Sequence, residues 1–141
     1  MPTTPMPPHV EAFLREPNDA VIATLRHDGA PAAIPCWYRY ESGTILLSIF
    51  SHAQRLRNLR ADARVSLTAM AKAPYRNVSL GGVAVELRDD PELRDIDALS
   101  QHYEGAPHHD RTHVMTTAVV VVQRWYAYGL DLNPPGSSTT P

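Results

Sequence analysis

Residues 20–50, AVIATLRHDGAPAAIPCWYRYESGTILLSIF, contain three β-forming runs separated by two tight-turn signals. The first turn is His27-Asp28-Gly29 and the second is Ser42-Gly43. An Asp-Gly pair between two extended runs is a strong hairpin signal, because glycine adopts the positive φ angles that tight turns need. We therefore predict antiparallel strands at 20–25, 30–40 and 44–50.

The middle run carries two prolines, Pro31 and Pro35. Proline has no N–H group and cannot donate to the central ladder of a sheet. We therefore expect this strand to lie at a sheet edge, at a bulge, or open onto a binding site.

Outside this stretch, apolar periodicity and turn residues predict three more strands and three helices. Gly81-Gly82 interrupts one strand, which predicts a kink or bulge there. Asp90 followed by Pro91 predicts the start of a helix, and Gly105 predicts its end. The helices are expected at 9–16, 52–61 and 91–104, and the strands at 65–71, 77–87 and 116–128.

These elements predict a mainly β domain over residues 9–130, a six-stranded antiparallel barrel with appended helices. Consecutive hairpins argue against a doubly wound parallel sheet. Residues 1–8 and 131–141 are rich in residue types that bury little apolar area, such as Pro, Ser and Thr, so we expect flexible tails there.

Composition excludes several classes of protein. The 141 residues fit one domain, and a net charge of −2 with a single lysine gives no basic face for nucleic acid. Cys36 is the only cysteine, which rules out an intrachain disulfide and a thiolate zinc cluster. The longest apolar run, 118–122, is too short to span a membrane, and residues 1–8 lack a signal-peptide pattern. We expect a soluble, cytoplasmic protein.

The segment 51–59, SHAQRLRNL, has the pattern of a helix start. Ser51 and Gln54 are three residues apart, the spacing of a capping box. A helix N-terminus that follows a strand presents free N–H groups, which attract a phosphate or a carboxylate. Two interpretations stay open at this point, a phosphate site and an ordinary solvated surface helix.

Helical spacing divides this segment into two faces. Arg55 lies within one turn of the helix start, and Asn58 is one turn further along the same side. Arg57 projects in another direction. Leu56 and Leu59 share a different face, which we expect to pack inward.

Pro35-Cys36-Trp37-Tyr38 is the second candidate feature. Two aromatic residues beside a proline that interrupts the ladder could line a planar ring, and exposed backbone groups could bond its edge. The alternative is that both aromatic residues fill the core. Cys36 is expected to be a packed small apolar residue rather than a nucleophile.

The sequence offers several histidines but no established catalytic motif. His108-His109-Asp110 and His113 bring metal-ligand types together, yet their spacing matches no zinc pattern, so no metal site is predicted. There is no Gly-x-Ser-x-Gly elbow and no glycine-rich phosphate loop.

Taken in order, these pieces resemble the pyridoxamine 5'-phosphate oxidase-like split-barrel superfamily of FMN-binding proteins, in particular the small actinobacterial members that use the deazaflavin coenzyme F420. The resemblance runs from about residue 13 to residue 130. No single piece is specific, and the order and spacing carry it. The matching pieces are ATLRHDGAP at 23–31, PCWY at 35–38, RLRNL at 55–59, RVS at 64–66, PYR at 74–76, the Gly81-Gly82 strand and the closing Tyr128-Gly129.

The resemblance implies a split barrel that forms a homodimer with two cofactor sites at the subunit interface. The ring would rest against residues 35–37 and the strand end 48–51, and the phosphate would meet Arg55 and Asn58. The partner subunit would contribute residues near Tyr75-Arg76, together with Tyr128. The candidate cofactor-binding set is Pro35, Cys36, Trp37, Ser48, Ile49, Phe50, Ser51, Arg55, Arg57, Asn58, Tyr75, Arg76 and Tyr128.

The implied activity is F420-dependent hydride transfer to a conjugated acceptor such as an enone, a quinone or a tetrapyrrole. The family commonly has a lysine at the position of Arg55, often after a Gly-Arg pair that here reads His52-Ala53. Two alternatives stay open, an FMN-dependent oxidase or reductase and a non-catalytic flavin- or haem-binding protein. Candidate proton donors are His27, His52, Tyr75 and Tyr128.

Overall fold

Seven β-strands and three helices make up the part of the chain that the structure, a computed structural model, describes: residues 5–72 and 75–130. The helices are α1 (Pro8–Leu14), α2 (Gln54–Ala61) and α3 (Arg94–Glu104). The strands are β1 (Asp19–Leu25), β2 (Pro31–Cys36), β3 (Arg39–Glu41), β4 (Thr44–Phe50), β5 (Arg64–Ala71), β6 (Arg76–Asp89) and β7 (Met115–Tyr128). Residues 1–4, 73–74 and 131–141 lie outside the described part, so half of the predicted N-terminal tail and all of the predicted C-terminal tail are outside it.

The seven strands form one antiparallel sheet in the order β2-β1-β5-β6-β7-β4-β3. β2 and β3 are the two edges of this sheet, yet only Trp37 and Tyr38 separate them in the chain. The sheet must therefore curl until its edges meet, and within the described residues no ladder joins them. This arrangement is a split barrel, and it confirms the predicted mainly β fold with appended helices.

The number of strands differs from the prediction by one. Residues 30–40 were expected to form one strand, but the chain leaves the β1 ladder after Cys36 and joins the β4 ladder at Arg39. Tyr38, at this change, is fully buried, and its hydroxyl accepts a hydrogen bond from Asn18 Nδ2 at 3.0 Å. Of the three placements expected for the strand with Pro31 and Pro35, the structure shows the sheet edge, because β2 is an edge strand.

The predicted turns and the predicted bulge are confirmed. Gly29 has a φ of 87°, and Ser42 and Gly43 have φ angles of 46° and 81°. The β6–β7 register shifts between Gly81 and Gly82. A Cβ on Gly82 would overlap the Val121 carbonyl oxygen, so only glycine fits at this close approach of two backbones.

The barrel interior is closed by α1 and α2. Val10, Phe13 and Leu14 of α1 are buried, as the amphipathic pattern predicted, although the helix ends at Leu14 rather than at Glu16. α2 buries Leu56 and Leu59, which also agrees with the predicted inward face. These side chains join one large core cluster.

α3 begins later than predicted. The Asp90 carboxylate does accept N–H groups, those of Arg94, Asp95 and Ile96, at 2.9–3.2 Å. A turn through Leu93, whose φ is 59°, separates Asp90 from the helix, so Asp90 caps α3 from outside it. The predicted end at Gly105 is confirmed by its φ of 75°. None of the described helices is long and apolar enough to cross a membrane.

Candidate functional site

The start of α2 is built differently from the predicted capping box. α2 begins at Gln54 with Ala53 as its N-cap, and no side chain bonds this end. The Ser51 hydroxyl lies 2.7 Å from the Thr116 hydroxyl instead. β4 and β7 are paired at this point, so the Ser51 hydroxyl bonds a residue of β7 instead of an N–H group of α2. The capping-box prediction is therefore wrong, although a helix does start close to the expected position.

Arg55 is a half-buried arginine on the first turn of α2. Its guanidinium has no hydrogen-bond or ion-pair partner among the described residues, and burial lowers its pKa. Its charge also lowers the pKa of Cys36, although burial of the thiol is the larger effect and raises that pKa to about 11. Arg55 is thus an uncompensated positive charge next to the end of β2, which favours binding of an anion.

Asn58 is buried and bonded at both ends of its amide. Its Nδ2 donates to Thr24 Oγ1 at 3.0 Å, and its Oδ1 accepts from Gln54 Nε2 at 3.0 Å. The residue ties α2 to β1 and so fixes the helix that carries Arg55. Arg57 is exposed and donates to the His52 carbonyl and the Gln54 side chain at 2.9 and 2.8 Å. Arg57 therefore organises the loop before α2.

A cleft of about 460 Å³ opens between the end of β2 and α3. One wall comes from Pro35, Cys36 and Trp37, and the facing wall comes from α3 and the loop that follows it. The Trp37 ring stacks on Tyr103 with centroids 5.0 Å apart and planes 10° apart. The full lining is Asp19, Ala20, Pro35, Cys36, Trp37, Ile96, Tyr103 and His108.

The two segments predicted to hold a ring do meet in the structure. Trp37 and Phe50 both pack against one small apolar cluster beneath α3 (Leu93, Ile96 and Met115). Successive side chains of β4 alternate between the core and the opposite face of the sheet. Ile49 points into the core and is 1% exposed, whereas the Ser48 hydroxyl on the other face is buried and lacks a hydrogen-bond partner among the described residues. The Ser48 hydroxyl is therefore free to bond a ligand, and the side chain of Ile49 is not.

Trp37 and Tyr38, at the junction of β2 and β3, each follow one of the two roles considered for them, which were to line a binding site and to fill the core. Tyr38 belongs to the core, and Trp37 lines the cleft. One face of Trp37 is covered by Tyr103, so only the remaining surface of the indole can border the cleft.

Tyr75, Arg76 and Tyr128 form a separate group at the start of β6 and the end of β7. The two tyrosine rings lie 5.7 Å apart, and Arg76 Cζ lies 5.3 Å from the centre of the Phe13 ring. Arg76 Nε is buried without a partner among the described residues. These residues are at the barrel end that also carries Asp19, but they do not line the cleft.

The predicted proton donors are scattered. His27 lies in the β1–β2 turn, at the opposite end of β1 from the cleft. His52 stacks near Phe50 and His113, and His113 pairs with Asp110. No group of three or more His, Cys, Asp or Glu residues among the described ones is arranged to hold a metal ion.

Sequence reasoning missed five residues of the cleft lining. Three of them carry polar groups, namely Asp19, Tyr103 and His108, and the other two are Ala20 and Ile96. Tyr103 has the helical spacing of a core face, and only its stack on Trp37 reveals it as a wall of the cleft. His108 stood out as a histidine in a loop, but nothing in the sequence linked that loop to the β2 strand.

An open-edged antiparallel barrel with a cleft at its split and an unpaired arginine beside it belongs to the class of split-barrel cofactor-binding domains. Residues 6–126 match the family model described as pyridoxamine 5'-phosphate oxidase, so the chain belongs to this family, which is flavin-binding. The family expected from the sequence is thereby confirmed. No curated protein has a significant sequence match to the chain.

Solved structures with the same fold include three informative neighbours. One called an F420 reductase has a TM-score of 0.77 at 23% identity and covers 85% of this chain and 98% of its own. A conserved hypothetical protein from Mycobacterium tuberculosis has a TM-score of 0.72 at 23% identity, with 98% and 94% coverage. A heme binding protein from Mycobacterium smegmatis has a TM-score of 0.62 at 26% identity, and the match covers 89% of this chain and 56% of that one.

Proposed function

We propose that this protein is an F420-dependent oxidoreductase that transfers a hydride from reduced deazaflavin to a conjugated small-molecule acceptor. The observation that carries the proposal is Arg55, a half-buried guanidinium without a partner among the described residues, beside the β2 end of the cleft. Membership of a flavin-binding family and the similarity to a structure called an F420 reductase support the same conclusion.

The residues present fit a cofactor with a phosphate and a polar ring. Arg55 would hold the phosphate, because guanidinium groups bind phosphate in a bidentate manner. The orphaned Ser48 hydroxyl would bond a polar edge of the ring, and the cleft beside Trp37 would hold the reacting part. When bound, reduced deazaflavin supplies a hydride, and the chain orients the acceptor and excludes water.

We also propose that the protein acts as a homodimer. Tyr75 is 67% exposed, and Tyr128, which contacts it, is 50% exposed, although both are large aromatic side chains. Such side chains are enriched in protein interfaces. A dimer would cover them and bring a second subunit to the same barrel end as the cleft. Light scattering measures the state directly, and a monomer that binds cofactor normally would contradict this part of the proposal.

FMN is the alternative cofactor, because Arg55 lacks the second basic residue that a longer anionic tail would favour; His52-Ala53 stands before it. Parallel titrations of the purified protein with F420 and with FMN separate the two. Preferential binding of F420 supports the proposal. Tight binding of FMN, together with a purified protein that retains the yellow absorbance of flavin, would identify FMN as the cofactor and refute the assignment of F420.

Arg55→Ala tests the phosphate assignment. Loss of a charge-assisted hydrogen bond should weaken cofactor binding by about 1.5–3 kcal/mol, roughly tenfold to hundredfold. Arg60→Ala is the matched control, because Arg60 is an exposed arginine in the last turn of the same helix. Equal affinity of the Arg55 variant and the wild type would refute the assignment.

A further inference from the structure

His108 brings a histidine side chain to the cleft wall that faces β2. Its ring is half-buried and lies edge-on to Trp37, with centroids 6.3 Å apart. The loop that carries it is fixed by Asp97 of α3, whose Oδ1 accepts the His108 N–H at 3.0 Å. Arg111 bridges the same carboxylate and the His108 carbonyl at 2.6 and 3.0 Å. The imidazole is therefore held in place although it lies on a loop.

The hydrogen bonds of His108 also set its tautomer. The backbone N–H of Asp110 donates to His108 Nδ1 at 3.3 Å. An accepting Nδ1 carries no proton, so the proton of the neutral imidazole is on Nε2. No described residue accepts a hydrogen bond from this Nε2–H group, which leaves it available to a molecule in the cleft.

The other side chains of the cleft are poorly suited to bind a developing negative charge on oxygen. The Tyr103 hydroxyl donates to the Asn18 carbonyl at 2.8 Å and accepts the Tyr38 N–H at 3.3 Å, so its proton is already used. Cys36 offers only a weak S–H donor, and Asp19 offers a carboxylate that would repel an anion. The Trp37 indole belongs to the wall assigned to the ring and is stacked on Tyr103.

We propose that His108 donates a hydrogen bond from Nε2–H to the carbonyl oxygen of an enone or quinone acceptor bound in this cleft. The inference rests on the proposed function, which supplies the hydride. For an enone, the hydride leaves a C–H bond of the reduced cofactor and forms a C–H bond at the β-carbon. The C=C pair shifts to the bond between the α-carbon and the carbonyl carbon, and the C=O pair moves onto oxygen to give an enolate. A proton from water then adds to the α-carbon and the carbonyl is restored. His108 keeps its Nε2 proton throughout, and its hydrogen bond stabilises the charge that grows on oxygen.

The experiment compares two acceptors that differ in this one respect. A cyclic enone develops charge on a carbonyl oxygen during reduction. A cationic triarylmethane dye accepts a hydride at carbon, becomes neutral, and develops no oxyanion. The variants are His108→Leu, which removes the donor, and His108→Gln, which restores an N–H donor. His109→Leu is the matched control, because His109 is exposed, stacks on His108 and does not line the cleft.

His108→Leu should lower kcat for the enone by about a hundredfold, the scale of losing one oxyanion donor. Dye reduction and cofactor affinity should stay as in the wild type, and His108→Gln should recover most of the enone rate. His109→Leu should leave both rates unchanged. Selective loss with the enone cannot arise from a collapsed cleft, because the dye would then be lost too.

Other outcomes overturn the inference in distinguishable ways. An equal loss with both acceptors would mean that His108 shapes the cleft and does not bind the oxygen. An unchanged enone rate in His108→Leu would remove His108 from the reaction. If the wild type transfers hydride to neither acceptor, from reduced F420 or from reduced FMN, then the proposed function itself is refuted and the role of His108 with it.

Discussion

Substitution by alanine should affect the stability of the protein very differently at the two adjacent glycines of β6, Gly81 and Gly82. In Gly82→Ala, the new Cβ would overlap the Val121 carbonyl oxygen, which is backbone of the neighbouring strand β7. In Gly81→Ala, the Cβ would lie 2.9 Å from Arg124 Cζ, the far end of an exposed side chain that can move away. Relief of the clash at residue 82 therefore costs much free energy of folding, because backbone must move. Relief of the contact at residue 81 costs little, because only a side chain must move.

The size of the effect follows from what must move. To accommodate the added methyl group in Gly82→Ala, β6 and β7 must separate at the centre of their longest ladder. Overpacking of this kind costs about 1–3 kcal/mol, and each weakened ladder hydrogen bond adds about 0.5–1.5 kcal/mol. We expect Gly82→Ala to lose about 3 kcal/mol or more. Gly81→Ala should be within about 1 kcal/mol of the wild type, because alanine restricts the unfolded chain more than glycine does.

Urea unfolding measures both variants, and tryptophan fluorescence is a convenient signal because Trp125 pairs with Leu80 beside the bulge. With an m value of about 2 kcal/mol per molar, a loss of about 3 kcal/mol moves the midpoint by roughly 1.5 M. Similar midpoints for the two variants would refute the reasoning, since the structure assigns the backbone clash to one glycine alone.

Two further perturbations test the site and its support. Alkylation of Cys36 should be slow at neutral pH and accelerate only as pH approaches about 11, because burial raises the pKa of the thiol and only the thiolate reacts. Arg55→Ala should move this pH profile upward, since the arginine charge lowers the pKa, whereas an unmoved profile would show that Arg55 does not lie near Cys36. Asn58→Ala should destabilise the fold by about 1–3 kcal/mol in urea unfolding, because it leaves the Thr24 hydroxyl buried without its partner; a neutral result would contradict the tie between α2 and β1.

The turns were predictable from the sequence because their chemistry is local. Asp28-Gly29 and Ser42-Gly43 act through the positive φ angles that glycine adopts, and Gly81-Gly82 acts through the absence of a side chain. The structure places a turn or a bulge at all three. The edge position of β2 followed from two prolines in the same way. Each of these predictions needed only the residue and its chain neighbours.

Predictions that depended on distant partners were weaker. Ser51 has the spacing of a helix cap, but its hydroxyl meets Thr116, 65 residues later in the chain. His108 and Trp37 line the same cleft, although 70 residues separate them in the chain and no sequence pattern connects the two. Local patterns indicate which bonds a side chain is able to make. The pairing of β4 with β7 and the contact of α3 with Trp37 decide which bonds are made.

The cleft and the split in the barrel have one physical cause. A chain that leaves one ladder and joins another over two residues must send their side chains in opposite directions, since successive residues of an extended chain alternate between faces. Tyr38 is thereby buried in the core and Trp37 is turned outward to α3. The β2 wall is part of the barrel sheet, whereas the facing wall around His108 depends on one carboxylate, Asp97, and its bonds to the loop. Substitutions in this loop should therefore reshape the cleft at a lower cost to the fold than substitutions in the barrel strands.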